Sequence, residues 1–215
     1  MRLVPAKPAE SDLEHSYNVA PTHDSPIVRH VDDIEGTTAR WGLIPPWAKD
    51  ASIASMTINA RAKTADSKPA YRDAFASRRC VVPISRFYEW ALADHGGKQP
   101  YSIHRADGAV LLLAGLWERW RDPSRPEDAG PLETFTILTV AANPFIAGLH
   151  DRMPAVLEPE QARRWIEPGD PDRSLLGPAD DGVLDMHPVS TAVNKPSRND
   201  PSLIEPIELD RGLFS

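Results

Sequence analysis

The stretch LHDRMPAVL (149–157) places a histidine, an acid and an arginine in a row between two apolar segments. An imidazole at the edge of a core can exchange protons near neutral pH or stabilise a developing charge, which makes His150 a candidate for chemistry. The alternative is a structural histidine at the end of a turn, with Asp151 and Arg152 acting as caps or ion-pair partners. The local sequence leaves both interpretations open.

A second candidate is Glu89, in the stretch FYEW (87–90). In a strand, the period of two places Glu89 on the same face as Phe87 and opposite the other two aromatic residues. A carboxyl among aromatic rings is poorly solvated when ionised, so we expect its pKa to rise towards neutrality, as a general acid–base requires. The alternative is a glutamate that faces solvent or pairs with Arg86 or Arg119.

Asn59 and Arg61, which follow an apolar stretch, could place an amide and a guanidinium at the end of a strand. A guanidinium suits phosphate because its planar fork donates two hydrogen bonds at once. A solvated turn is the alternative. Tryptophans such as Trp41, Trp47 and Trp90 could stack on unpaired bases, although tryptophans more often fill cores.

Cys80 is the only cysteine, so the sequence predicts neither an internal disulfide nor a thiol-based zinc site. Because Cys80 opens an apolar strand, we expect a buried, inert thiol. The competing hypothesis is a cysteine peptidase that uses Cys80, His150 and an asparagine. It requires the thiol to be exposed and near the imidazole.

Composition gives an ordinary globular balance over 215 residues, with 41% hydrophobic and 26% charged residues and a net charge of −7. No apolar run is long enough for a membrane span, and the first residues do not resemble a secretory signal, so a cytoplasmic protein without a membrane partner is expected. Residues 40–105 hold eleven Lys or Arg against five acids, a local charge of +6. That segment permits an anionic ligand.

The elements that must position these residues are mostly short strands. Alternating or β-branched patterns predict strands at 25–31, 37–44, 80–92 (interrupted at its proline), 100–105, 109–120 and 133–141. Helical spacing favours helices at 68–77 and 159–166, with loops at 45–58 and 121–131 and a hairpin turn at 94–98. We therefore predict an α+β fold: one β-rich domain over 1–215 with a curved or barrel-like, mostly antiparallel sheet and a few peripheral helices.

Six motifs occur in a fixed order: YNVAPT (17–22), RWGLIPPWAKD (40–50), INAR (58–61), RRCVVPISRFYEW (78–90), LHDRMP (149–154) and HPVSTAVN (187–194). Together they closely resemble the SRAP family, the SOS response-associated peptidase or abasic-site processing proteins. The resemblance runs from about Ser16 to Pro206.

The resemblance implies a β-rich domain with a positively charged groove that detects abasic sites in single-stranded DNA, especially at junctions with duplex. Family members bind covalently to the open-chain aldehyde through a terminal cysteine: its amine forms a Schiff base and its thiol closes a thiazolidine ring. Removal of the initiator segment underlies the name peptidase. No cofactor is implied, and a cytoplasmic monomer that associates with the nucleoid when DNA is damaged is expected.

The resemblance also implies roles for residues of this chain. Glu89 would shuttle protons, His150 would stabilise the imine and help the sugar ring open, and Asn59 would orient the aldehyde or the amine. The DNA-binding residues would be Asn18, Pro21, Trp41, Trp47, Arg61 and Arg152.

One departure bears on the chemistry. Family members begin Met-Cys-Gly-Arg, whereas this sequence begins Met1-Arg2-Leu3-Val4. We therefore expect a shortened N-terminal segment, a flexible terminus that does not reach the pocket, and no stable crosslink. A Met1 amine could still form an imine, but without a thiol that imine would be hydrolysable. A non-catalytic single-stranded DNA-binding paralogue is the first alternative.

Overall fold

The computed structural model describes residues 1–5, 16–92 and 96–209. Within those residues the chain forms eleven strands: β1 (Arg2–Pro5), β2 (Asp24–His30), β3 (Ile34–Trp41), β4 (Asn59–Arg61), β5 (Arg79–Leu92), β6 (Lys98–Arg105), β7 (Leu111–Trp120), β8 (Leu132–Ala141), β9 (Arg152–Pro154), β10 (Val156–Leu157) and β11 (Leu184–Pro188). Three α-helices accompany them: α1 (Arg72–Ser77), α2 (Pro144–Ala147) and α3 (Pro159–Ile166). None of the helices in these ranges is long and apolar enough to cross a membrane.

The strands join in one sheet that curls back on itself. The long strand β5 pairs with β2 along one edge and with β7 along the other, and β7–β8–β3–β2 complete the circuit. Closure leaves no free edge within the circuit. All strand pairings described are antiparallel except β3–β8 and β4–β8, which are parallel. The predicted β-rich, barrel-like and mostly antiparallel sheet with few helices is confirmed.

The proline in the middle of β5 does not interrupt the strand, contrary to the prediction of a break. Pro83 pairs with Leu112 of β7 on one side. On its other side it falls between Val81, which pairs with β2, and Ile84, which pairs with β1. The missing N–H of proline therefore coincides with a change of partner strand, a place where a sheet tolerates it.

The central strand β7 is buried along almost its whole length, as its apolar sequence predicts. α3 covers it from outside, and the Trp165 indole N–H lies within hydrogen-bond distance of the Cys80 and Gly115 carbonyls. α3 matches its predicted bounds because Pro159 starts it and Glu158 and Gln161 form a capping box.

Other elements differ from prediction. α1 starts at Arg72 rather than at residue 68, because Lys68 and Tyr71 form a turn, with the Tyr71 N–H donating to the Lys68 carbonyl. The hairpin turn at 94–98 falls partly outside the described residues; Gly96 and Gly97 within it have positive φ angles of 83° and 87°. β1, β9, β10 and β11 carry too few residues for a recognisable pattern.

Candidate active site

The first residues of the chain lie in the sheet. β1 runs antiparallel to β5, with Arg2 opposite Tyr88 and Leu3 opposite Phe87. The Leu3 side chain is fully buried in the main apolar cluster, and Leu3 exchanges two backbone hydrogen bonds with Val19. The expectation of a flexible terminus that does not reach the pocket is therefore wrong, because burial and strand pairing fix its path.

This path places the Met1 amine 3.7 Å from Oε1 of Glu89. The surroundings remove the amine from water, and this burial lowers its pKa below the ordinary value of 8.0, while the Glu89 carboxylate acts in the opposite direction. Burial outweighs the attraction of the carboxylate. A larger fraction of the amine is consequently neutral, and nucleophilic, at pH 7 than at an exposed terminus.

Glu89 points into the same pocket from β5. Its side chain is 14% exposed. Arg86 does not pair with it, since Arg86 lies on the opposite face of β5 and donates to the Ser102 hydroxyl. Arg119 forms its ion pair with Glu133. The carboxylate is thus directed at the amine rather than held in a structural ion pair with either arginine.

His150 lies between α2 and β9, and its side chain is 50% exposed. Its Nδ1 lies 3.0 Å from the backbone nitrogen of Arg152, which can only donate. Nδ1 also lies 3.2 Å from the Arg152 carbonyl oxygen. In the neutral tautomer with the proton on Nε2, Nδ1 accepts from the Arg152 N–H and Nε2 can donate to a ligand. Nδ1 also lies 3.0 Å from Oδ1 of Asp151, a contact that is attractive when Nδ1 carries a proton.

Asn59 and Arg61 reach the pocket from β4, which runs parallel to β8. The Asn59 side-chain oxygen is buried and has no hydrogen-bond partner among the residues described. Buried polar atoms normally have a partner, so an orphan acceptor on a pocket wall indicates a site for a donor from a ligand or water.

Arg152 and Arg61 bring positive charge to the same pocket. The Arg152 guanidinium donates to the hydroxyl and the backbone carbonyl of Thr139. Burial, and then the nearby charge of Arg61, lower the pKa of Arg152. Neither arginine forms an ion pair with a described carboxylate. Two like charges that repel one another and lack a counterion favour an anion between them.

All of these groups line one pocket of about 230 Å³, bounded by Met1, Asn59, Arg61, Glu89, Thr139, His150, Arg152, Met153 and Pro154. The pocket is smaller than those that hold drug-sized ligands, so it suits a single small group such as a sugar. Four of its members, Met1, Thr139, Met153 and Pro154, were not predicted. Thr139 carries no sequence signal of its own, because only the pairing of β8 with β4 and β9 brings it there.

The predicted groove residues divide into two groups. Trp47 is 59% exposed and can stack on a ligand, and Pro21 is half-buried. Trp41 is fully buried: its ring stacks with Phe135, and its indole N–H donates to the Ile58 carbonyl. The prediction that Trp41 contacts DNA is wrong for this structure, because packing within the sheet takes up the whole ring.

Asn18 is also buried, with 2% of its surface exposed. Its amide nitrogen contacts three backbone carbonyls between residues 193 and 198, and its oxygen accepts from Arg2. The predicted direct contact of Asn18 with DNA is therefore wrong as well. The residue holds protein segments together.

Cys80 is a buried free thiol, as predicted. Burial raises its pKa, so the reactive thiolate is disfavoured. A side chain at Gly115 would meet the Cys80 sulfur at 2.9 Å, which shows how closely the thiol is enclosed. Cys80 does not line the pocket that contains His150. The arrangement that a cysteine peptidase based on Cys80 would need is absent from the described residues.

The closed, β-rich domain thus brings an amine, a carboxylate, an imidazole and two arginines around one small pocket. Comparison with known proteins identifies the family. The model of the family SOS response associated peptidase (SRAP) matches residues 2–196, and the chain belongs to this family. The match starts before the predicted limit of about Ser16 and therefore includes β1.

Relatives with this family's signature come from bacteria and animals. The chain is 40% identical over 203 residues to the abasic site processing protein YoqW of Bacillus subtilis, covering 91% of this chain and 88% of YoqW. It is 34% identical to the abasic site processing protein HMCES of Gallus gallus, covering 93% of this chain and 68% of HMCES. A crystal structure of a protein from Bacteroides thetaiotaomicron superposes with a TM-score of 0.77 at 31% identity, covering 87% of this chain and 82% of that one.

Proposed function

We propose that the chain processes abasic sites in single-stranded DNA by forming an imine between its terminal amine and the aldehyde of the damaged sugar. The observation that carries this proposal is the Met1 amine, 3.7 Å from the Glu89 carboxylate, at the wall of a pocket with two arginines. The names of the relatives support the substrate class.

The reaction needs only groups that line the pocket. The neutral amine adds to the aldehyde carbon to give a carbinolamine. Glu89 takes the proton that the nitrogen loses and returns a proton to the carbinolamine hydroxyl, which leaves as water as the C=N bond forms. His150 donates from Nε2 to the sugar oxygen. Hydrolysis follows the same steps in reverse.

Recognition of the DNA falls to the cationic side of the pocket. Arg61 and Arg152 hold the phosphate beside the damaged sugar, and the orphan Asn59 oxygen accepts from the carbinolamine. Trp47 supplies an exposed ring for a neighbouring base. An imine formed by the Met1 amine is reversible, because the thioether of that residue cannot close a thiazolidine ring.

The test uses a single-stranded oligonucleotide with one abasic site, incubated with protein whose intact mass shows Met1 at its terminus. Borohydride reduces an imine to a stable amine, so a shifted band on a denaturing gel is expected only with reductant. Peptide mass spectrometry should place the adduct on Met1. A tetrahydrofuran site, which has no aldehyde, should give no band. An adduct confined to lysines, or none, contradicts the proposal, and salt-sensitive binding without an adduct supports the non-catalytic alternative.

The yield should depend on pH in a defined direction. Because burial lowers the pKa of the amine below its ordinary value of 8.0, the rate of trapping should rise with pH and level off at a lower pH than for an exposed terminal amine. Protonation of the amine removes the nucleophile at lower pH. Initial rates from pH 5 to 9 measure this. A rate that still rises steeply above pH 8 would mean that the amine titrates like an exposed terminus.

Binding should depend on both pocket arginines. Arg61→Ala and Arg152→Ala should each weaken affinity for the tetrahydrofuran oligonucleotide roughly tenfold, as loss of a charged hydrogen bond does. Each should also reduce the slope of log affinity against log salt by about 0.7, the value for one phosphate on a single strand. Arg163→Ala, at an exposed position on α3, is the matched control. Slopes equal to that of the control would remove the phosphate role.

A further inference from the structure

The segment 190–199, here called the C-terminal turn, lies outside the pocket. It includes a short 3-10 turn at Thr191–Asn194, and its first five residues are the end of the HPVSTAVN motif (187–194), for which the residue types indicate no chemistry. It contacts residues that are adjacent in sequence to residues of the pocket. These contacts are made with the residues that follow Met1 and Glu89, the two residues that act together in the proposed reaction.

Asn194 contacts both strands that carry these groups. Its side-chain oxygen accepts from the Trp90 indole N–H at 2.7 Å. Its backbone carbonyl accepts from the Arg2 guanidinium at 2.9 Å. Trp90 follows Glu89 in β5, and Arg2 follows Met1 at the start of β1. One residue of the C-terminal turn is thus bonded to the next residue after each of the two reacting groups.

The buried amide of Asn18 reinforces this arrangement. Its nitrogen lies 3.0–3.1 Å from the carbonyls of Val193, Lys195 and Arg198, and its oxygen accepts from Arg2 at 3.1 Å. Breaking such a bond leaves a buried polar group without a partner, which costs more than the bond itself contributes. Asn18 therefore fixes the turn and Arg2 relative to each other.

The pairing of β1 with β5 shows which face of the sheet the hydrogen bonds of the C-terminal turn contact. Residues paired across β1 and β5 share a face, so Arg2 and Tyr88 lie on one side of the sheet together with Trp90. Glu89 projects from the other side, into the pocket. The C-terminal turn therefore contacts β1 and β5 on the face opposite the pocket, whereas the amine and the carboxylate lie on the face that lines the pocket. A terminal strand of four residues would otherwise fray.

We propose that the C-terminal turn is a positioning element that holds position 1 of the chain against Glu89, with Asn194, Asn18 and Arg2 as its positioning residues. It makes no contact with substrate and acts through the backbone of β1 and β5. This inference deepens the proposed function and rests on it for its catalytic consequence. Its structural part, the restraint of β1, can be tested without DNA.

Two small changes break the link to β5. Trp90→Phe removes the indole N–H and retains an aromatic ring, and Asn194→Ala removes the oxygen that accepts it. Trp120→Phe is the control, because it deletes an indole bond to the Ala48 carbonyl elsewhere in the fold. Since Trp120 is fully buried, this control should lose at least as much stability as Trp90→Phe. If both variants act through the one bond, the double variant should behave like either single variant.

The first readout is hydrogen exchange at the Leu3 and Val19 amides, which bond β1 to its neighbour. We expect exchange in Trp90→Phe and Asn194→Ala to be at least about tenfold faster at these amides, with a melting temperature no lower than that of the Trp120→Phe control. Unchanged exchange at Leu3 and Val19 would overturn the proposal. So would faster exchange over the whole sheet, which indicates a general loss of stability.

The second readout is the rate of imine trapping. A displacement of reacting groups by about 1 Å can cost a hundredfold, so we expect trapping to slow by about tenfold to a hundredfold while affinity for the tetrahydrofuran oligonucleotide stays within about twofold. Equal losses in rate and affinity would assign the turn to DNA binding instead. If the unmodified chain forms no imine, the proposed function fails, and hydrogen exchange still decides whether the turn restrains β1.

Discussion

Replacing Glu89 with glutamine should slow imine formation by about a hundredfold or more, the usual contribution of a positioned general acid–base. Glutamine keeps the shape of the side chain but can neither take the proton from the amine nor return one to the carbinolamine. Single-turnover trapping with borohydride measures the rate. Affinity for the tetrahydrofuran oligonucleotide should be nearly unchanged, because Glu89 faces the amine and not the arginines.

Whether Glu89→Gln slows or speeds imine formation distinguishes two roles for the carboxylate. Glu89 raises the pKa of the amine, against the larger effect of burial. If the carboxylate only held the amine in its charged form, Glu89→Gln would leave more neutral amine and speed the reaction at pH 7. If it transfers protons, the reaction slows although the amine is more often neutral. Glu160→Gln, on the exposed surface of α3, controls for loss of a negative charge. An unchanged or faster rate would contradict proton transfer by Glu89.

Inserting a cysteine between Met1 and Arg2 should convert a reversible adduct into one that survives heat and denaturant. After removal of the initiator methionine, verified by intact mass, the cysteine amine takes the place of the Met1 amine, because β1 keeps its register with β5. The thiol can then add to the imine carbon and close a five-membered ring, as the family resemblance leads us to expect. The proton of the thiol goes to the former imine nitrogen, and no oxidant is needed.

A denaturing gel without borohydride reports this conversion directly. We expect almost no shifted band for the unmodified chain and nearly complete conversion for the cysteine insertion. An alanine insertion at the same place lacks the thiol and should require reductant. If the cysteine variant also requires reductant, position 1 does not lie where the thiol can reach the imine carbon. A stable band from the unmodified chain would contradict the reversible chemistry assigned to Met1.

The sequence predicts the polar residues of the pocket better than it predicts which tryptophans are buried. Glu89 could be placed on a face from the period of its strand, whereas the local sequence left the roles of Asn59, Arg61 and His150 open. Only the family resemblance predicted that these residues share one site. Trp41 could not be assigned correctly, because a tryptophan that fills the core and one that lines a groove have the same local pattern. Only the stacking of Trp41 on Phe135, through parallel pairing of β3 and β8, decides between them.

The path of β1 could not be predicted from its local sequence, for a different reason. Its four residues carry no period, and their position depends on pairing with Tyr88 and its neighbours in β5, far along the chain. The HPVSTAVN motif likewise showed no role until the contacts of Asn18 and Asn194 were visible. Both are cases in which non-local pairing, rather than propensity, places a segment.

The hydrogen bond between Asn18 and the Arg198 carbonyl joins residues 180 positions apart. A contact of this kind closes a large loop. We expect it to form late in folding, because the chain loses conformational entropy on closing the loop before the contact can stabilise the fold. During synthesis, the segment around residue 198 leaves the ribosome long after the amine has been exposed. The bonds through which Asn18 fixes the C-terminal turn and Arg2 are therefore complete only after residue 198 has been added to the chain and has left the ribosome.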